Sequence, residues 1–151
     1  MVVPLVNIQL PNLSGLLKAV EILTAGWGLA ISPGNITVST VGISPGIIEF
    51  LGKTRCNLVL SLFSPFSDER QRAIPVEKVY PFVEIIDMMK SFPPDRKRRL
   101  SIAYVMIRNL NDTDSHLEKL KDLFRNSKVR VNLLLSNVPP EANSAGSITT
   151  R

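Results

Sequence analysis

Short apolar runs that alternate with stretches of helical period constrain this chain more than any other feature. Ile36 to Val41, Cys56 to Leu62, Leu100 to Ile107 and Val129 to Leu135 are nearly continuous apolar segments. Runs of that length, apolar on both faces, read as strands of a parallel sheet. A further run, Val2 to Leu10, carries Pro4, which suits an edge because proline gives up a ladder donor. Between the strands, Leu13, Leu16, Leu17, Val20 and Leu23 recur at helical spacing behind the cap oxygens of Asn12 and Ser14, and Gly26 and Gly28 stop that helix. Pro33-Gly34-Asn35 turns into the next strand. Ser44-Pro45 starts a second helix with Ile47, Ile48, Phe50 and Leu51 on its apolar side, ending at Gly52. Pro75 opens a longer one carrying Val79, Phe82, Val83, Ile86 and Met89, with Phe92 before the Pro93-Pro94 stop. Asp112 or Thr113 caps a last helix with Leu117, Leu120, Leu123 and Phe124. The predicted order is βαβαβαβαβ.

Repeated βα units imply parallel strands joined by right-handed crossovers. Five strands are too few for a closed eight-stranded barrel, which leaves an open doubly wound sheet or part of a curved, incomplete barrel. The predicted strands close on small polar residues: Ser39 with Gly42, Ser61, Arg108 with Asn109, and Ser136 with Asn137. Ligands of parallel α/β folds sit at the carboxyl ends of strands, so these residues mark where a ligand would go. Serine and asparagine are also common there as turn formers. Gly26-Trp27-Gly28 follows a helix, not a strand, and reads as a helix stop rather than a phosphate loop. Residues 1–137 are expected to form one domain. The tail, 138–151, is rich in Pro, Ser, Thr and Ala and is expected to be flexible.

At 151 residues and 44% hydrophobic, the chain is long enough for one substantial core. With one cysteine, Cys56, and one histidine, His116, it has neither an intramolecular disulfide nor a cluster of soft metal ligands. A lone strand cysteine reads as a small apolar core residue. No apolar run reaches the length of a spanning helix and no secretory leader is evident, so the expectation is a soluble, cytoplasmic protein without a membrane partner. Much of the net charge of +5 comes from Arg96-Lys97-Arg98-Arg99. Such a block is either an RNA-binding contact or a solvated loop before a strand, and no aromatic residues interleave with it. His116 reads as a surface or capping residue. Asp68, Glu69 and Arg70 read as a helix start with acids facing the dipole, or as a polar rim near the mouth of a site. Glu84 and Asp87 fall on the solvated side of an amphipathic helix.

Several short motifs also fall in one order: Ile36-Thr37-Val38-Ser39-Thr40-Val41-Gly42, Leu60-Ser61-Leu62-Phe63-Ser64-Pro65, Pro75-Val76-Glu77-Lys78-Val79-Tyr80, Tyr104-Val105-Met106-Ile107, Asn111-Asp112 and Val131-Asn132-Leu133-Leu134. In order and approximate spacing this resembles the radical S-adenosylmethionine RNA methyltransferases of the RlmN and Cfr type, from about residue 1 to 140. The resemblance implies a partial, open parallel (βα) barrel of six strands, of which this chain supplies the second to the sixth. It implies methylation of an adenine carbon in 23S ribosomal RNA, in some members also of transfer RNA, with S-adenosylmethionine and a [4Fe-4S] cluster as cofactors. By the same resemblance Ser39, the segment Ser61-Leu62-Phe63 and Asn137 fall on positions that contact S-adenosylmethionine.

The departures from the family pattern are as informative. Its Gly-Glu-Pro segment falls on Asn7-Ile8-Gln9, its histidine on Phe63, a glutamate on Ala103, and a Pro-Trp pair on Leu135-Ser136. The C-x3-C-x2-C loop that holds the cluster, and the family's reactive cysteine, have no counterpart among these residues, so no cluster, metal ligand or catalytic residue is expected in this chain. One thiolate cannot hold a four-iron cluster. The expectation is a truncated or degenerate form, inactive as an isolated chain. A non-catalytic module that binds S-adenosylmethionine or RNA, or a ligand-free α/β scaffold, are the alternatives. Uncovered sheet edges would favour self-association.

Overall fold

In the computed structural model, residues 12–92 and 98–136 are described, and they form a four-stranded parallel sheet of order β1-β2-β3-β4. The strands are β1 Thr37–Thr40, β2 Asn57–Leu62, β3 Leu100–Met106 and β4 Arg130–Leu135. Each lies within the apolar run that predicts it, trimmed by a residue at one or both ends. Five helices accompany them: α1 Leu13–Thr24, α2 Ser44–Lys53, α3 Ser67–Ala73, α4 Phe82–Ser91 and α5 Asp114–Phe124. The predicted strand Val2 to Leu10, the residues Arg96, Lys97 and Asn137, and the tail 138–151 lie outside the described residues. No helix among the described residues is long and apolar enough to cross a membrane.

The sequential strand order decides between the two predicted architectures. A doubly wound sheet reverses its order at a switch point and carries helices on both faces. Here the order never reverses, so right-handed crossovers put the connecting helices on one face, as in a barrel wall. Burial alternates accordingly. Val38, Leu58, Leu60, Leu62, Ile102 and Tyr104 are buried with Ile47, Phe50, Phe82, Ile85, Ile86 and Leu120 of the helices. On the opposite face the register aligns Ser39 with Val59, and Ser61 with Ala103 and Asn132. Side chains there, from Val59 through Ala103 to Leu134, range from half-buried to exposed. On β4 the apolar residues of both faces are open: Leu133, Leu134 and Leu135 are all exposed, the last at 78%.

One predicted helix is corrected. The segment after Pro75 is not one long helix but a 3-10 turn, Pro75–Lys78, followed by α4 from Phe82, with α3 before both. Pro81 is the cause. It stands at the N-cap of α4 with ψ 129, and having no N–H it cannot carry a helical ladder through from the preceding turn.

Two asparagines tie the strands together at opposite ends of the sheet. At the amino ends Asn57 donates through Nδ2 to the Gly34 carbonyl at 2.8 Å, and its Oδ1 accepts from the Arg99 amide at 2.8 Å. At the carboxyl ends Asn111 donates through Nδ2 to the carbonyls of Phe63 at 2.7 Å and Val105 at 2.9 Å, while its Oδ1 accepts from the Ile107 amide at 2.7 Å. Both side chains occupy backbone groups that strand pairing leaves open, which is how a sheet ends without orphaned donors and acceptors.

Candidate functional site at the carboxyl ends of the strands

Ser39 and Ser61 come from neighbouring strands and share the helix-free face, because Ser39 pairs with Val59 and Ser61 lies two residues further along β2. Two hydroxyls, one buried and one half-buried, therefore stand near the carboxyl ends of β1 and β2. The other sequence-predicted contacts separate. Leu62 has the opposite parity and is buried in the helix-side core, so only its backbone is offered toward a ligand on the open face. Phe63 is half-buried, with its carbonyl held by Asn111. Arg108 and Asn109 are exposed, and Asn109 adopts φ 61, a left-handed conformation that asparagine tolerates.

Behind this rim lies a polar layer that periodicity does not reveal. Arg70 and Glu77 are 0% and 1% exposed. Arg70 Nε donates to Glu77 Oε2 at 2.7 Å, Nη1 donates to the Ser61 carbonyl at 3.1 Å, and Nη2 donates to the Val41 carbonyl. One guanidinium thus clamps the chain ends of β1 and β2 while resting 5.7 Å from the Phe82 ring centre. Burial pushes the Arg70 pKa down from its ordinary value, and the carboxylate of Glu77 opposes that shift. Glu77 also accepts from Ser67 Oγ at 2.9 Å and from the Phe82 amide, so both of its carboxylate oxygens meet donors. Gly42 is required here. Its φ is +108, and a Cβ would meet Ile85 Cδ1 at 2.7 Å beside the Arg70 guanidinium.

His116 is neither a surface residue nor a helix cap. It is 5% exposed; its Nε2 lies 2.9 Å from Glu69 Oε2 and its Nδ1 2.7 Å from Thr113 Oγ1, with Phe66 edge-on at 5.1 Å. Ser64 Oγ donates to the same Glu69 oxygen at 2.6 Å. The Ser64 and His116 hydrogen bonds hold the Glu69 carboxyl below its usual range. Asp68 and Glu69 do occupy the first turn of α3, as the helix-start reading has it, yet Glu69 looks inward to α5. Tyr104 donates its hydroxyl to the Asn111 carbonyl at 2.7 Å, and burial, aided by the charges of Glu69 and Asp112, pushes its pKa up to about 12. Glu84 and Asp87 are exposed, as their helical positions predict.

The donor set does not fit an iron–sulfur cluster. Cys56, the only cysteine in the sequence, is 0% exposed, lies just before β2 at the amino end of the sheet, and has its thiol pKa raised by burial. No group of three or more His, Cys, Asp or Glu residues suited to a metal ion occurs among the described residues. Arg98 and Arg99 also stand at the amino end, immediately before β3, opposite the two serines. Arg98 donates to the Thr54 carbonyl and is half-buried, so it is in part structural.

No family model matches the chain. Curated relatives do. A protein of Parabacteroides distasonis named "Probable dual-specificity RNA methyltransferase RlmN" is 42% identical over 134 residues, covering 89% of this chain and 39% of the relative. Proteins of the same name from Porphyromonas gingivalis and Dictyoglomus thermophilum are 36% and 35% identical over 142 and 132 residues. The chain spans about two fifths of the length of these relatives, 38% to 41%. Among solved structures, a radical SAM methyltransferase from Sphaerobacter thermophilus superposes with a TM-score of 0.73 at 32% identity, over 82% of this chain and 36% of that one. In sequence and in fold, over the portion it spans, the chain is similar to the RlmN-type radical SAM methyltransferases.

Proposed function

We propose that this chain forms the S-adenosylmethionine-binding wall of an RNA-methylating barrel, with ribosomal or transfer RNA as the substrate class. The observation that carries the reading is the placement of Ser39 and Ser61 on adjacent strands, on the helix-free face, near the carboxyl ends. Hydroxyls in that position can donate to and accept from the ribose and adenine of the cofactor, while Val59, Ala103 and Val105 offer apolar surface beside them. Phe63 contributes through its backbone and its ring. Asn137 lies outside the described residues, and it is the family resemblance that assigns it a third polar contact. Arg70 and Asn111 position this rim, since they hold the Ser61 and Phe63 carbonyls.

The 151 residues on their own do not perform radical chemistry, because a [4Fe-4S] cluster needs several thiolates and the only one is buried at the wrong end of the sheet. Loading the purified chain anaerobically with iron and sulfide is expected to give no broad visible absorbance and no stoichiometric iron. Retention of four irons per chain would sink this part of the reading.

Binding is tested by calorimetric titration of the whole chain with S-adenosylmethionine. Saturable heat is expected, and Ser39→Ala or Ser61→Ala each weakens it about fivefold, the worth of one hydrogen bond. Binding indifferent to both substitutions would place the cofactor elsewhere. No heat up to millimolar ligand would leave an α/β scaffold that takes no cofactor by itself.

A further inference from the structure

A cavity of about 470 Å3 opens at the opposite end of the molecule, between α1, the end of α2 and the start of β2. Lys18, Lys53 and Arg55 line it against one carboxylate, Glu21, over an apolar floor that includes Leu17 and Val20. Lys53 is bonded to Glu49 at 2.8 Å, whereas Lys18 and Arg55 make no ion pair among the described residues. Behind the lining, Arg98 donates to the carbonyl of Thr54, itself a lining residue. Arg98 Nε is buried without a hydrogen-bond partner, and the Thr54 hydroxyl lies against the Cys56 thiol. Arg98 Nε and Thr54 Oγ1 are both sealed from the cavity, so the cations that face it are Lys18, Lys53 and Arg55. Arg99 is held at the same end by the hydrogen bond its backbone amide donates to Asn57 Oδ1.

A second feature adjoins it. Thr24 and Pro33 line the cavity and bracket the loop that carries Trp27, the only tryptophan in the chain, which is 74% exposed. The loop is folded back on α1: the Leu29 amide donates to the Ile22 carbonyl at 3.2 Å and the Ile31 amide to the Leu23 carbonyl at 2.8 Å. Gly28 permits this, because a Cβ there would fall 1.9 Å from the Ile22 carbonyl oxygen. An exposed indole on an ordered loop beside a cationic cavity is a platform on which a base can stack while its phosphate meets the cations.

We propose that this cavity binds a phosphoester, the phosphate of a nucleotide either free or within single-stranded RNA, through Lys18 and Arg55. The site lies at the amino end of the sheet, away from Ser39 and Ser61, and does not depend on the cofactor-binding reading. Arg98 and Arg99, the described residues of the basic run before β3, stand at this end as well and add to its positive charge.

The test is calorimetric titration of the whole chain with inorganic phosphate, adenosine monophosphate and a short single-stranded RNA, with Trp27 emission followed in parallel. Lys18→Gln with Arg55→Gln is expected to weaken binding at least about tenfold. The same charge removal on α5, Lys121→Gln with Arg125→Gln, is expected to change it less than about twofold. All four side chains are exposed, so circular dichroism of both variants should match the parent. If RNA is the source, the salt slope of log affinity falls by about 1.4 in the first variant, two phosphates' share for a single strand. If the source is a free nucleotide, adenosine monophosphate binds as tightly as RNA and shifts the Trp27 emission. Equal weakening by the two double variants would mean diffuse charge and overturn the site, as would the absence of saturable binding by all three probes.

Discussion

Replacing Glu77 by alanine is expected to lower the unfolding free energy by about 3–5 kcal/mol, read from urea denaturation followed by circular dichroism. The loss comes from leaving a charged guanidinium in the interior rather than from a missing contact alone. Glu77 accepts from Arg70 Nε at 2.7 Å, from Ser67 Oγ at 2.9 Å and from the Phe82 amide at 3.1 Å, and its removal strands all three donors. Since small domains are stable by only about 5–15 kcal/mol, a large share of the margin is at stake. The double substitution Arg70→Met, Glu77→Leu is expected to recover a large part of the loss, because neither charge then has to be desolvated. A single-variant cost below about 1 kcal/mol would mean that the pair is hydrated in solution. The clamp also has a positional role. Arg70 holds the carbonyls of Val41 and Ser61, so its loss should loosen the ends of β1 and β2 even in the restabilised double variant. Faster amide exchange around those strand ends than in β4 would report it.

Asn111→Ala is the second large effect, expected at about 2–4 kcal/mol from three lost hydrogen bonds to groups that stay partly buried. The carbonyls of Phe63 and Val105 and the amide of Ile107 have no other side chain positioned to replace it among the described residues. Asn111→Asp is the sharper probe. It keeps the acceptor for the Ile107 amide but turns two donor contacts into a carboxylate facing two carbonyl oxygens, so it should be at least as destabilising as alanine at neutral pH. If the aspartate variant matched the parent in stability, Nδ2 would not be bridging β2 and β3 as described.

Both effects involve residues that the sequence marks only faintly. Asp68-Glu69-Arg70 reads as a helix start with acids facing the dipole, with a polar rim as the alternative. The helix start is correct for Asp68, which is exposed, while Arg70 two positions later is the most deeply buried large side chain of the segment. Nothing local separates them. The partner that makes burial of Arg70 tolerable is Glu77, beyond a helix end and in a 3-10 turn whose existence the apolar pattern does not signal. His116 illustrates the same gap. Its position in the first turn of α5 suggests a solvated or capping residue, but its partner Glu69 lies 47 positions earlier. Pro81, which divides the segment after Pro75, was in plain view, and its missing N–H was the signal that could have separated α4 from the preceding turn.

The sequence by itself determined the βα alternation, the four described strands to within a residue or so, the burial of Cys56, and the placing of Ser39 and Ser61 near strand ends. Those properties follow from side-chain period and turn chemistry, which act over a few residues. Only the tertiary structure decided that the sheet runs in unbroken order with one face free of helices among the described residues, which is what brings Ser39 and Ser61 onto a common surface. It also decided which polar groups could be buried. Asn111 reaches the Phe63 carbonyl across 48 positions and Arg70 the Val41 carbonyl across 29. A buried charge or amide is tolerated only where a distant segment supplies its partner, and that supply is set by strand order rather than by local pattern.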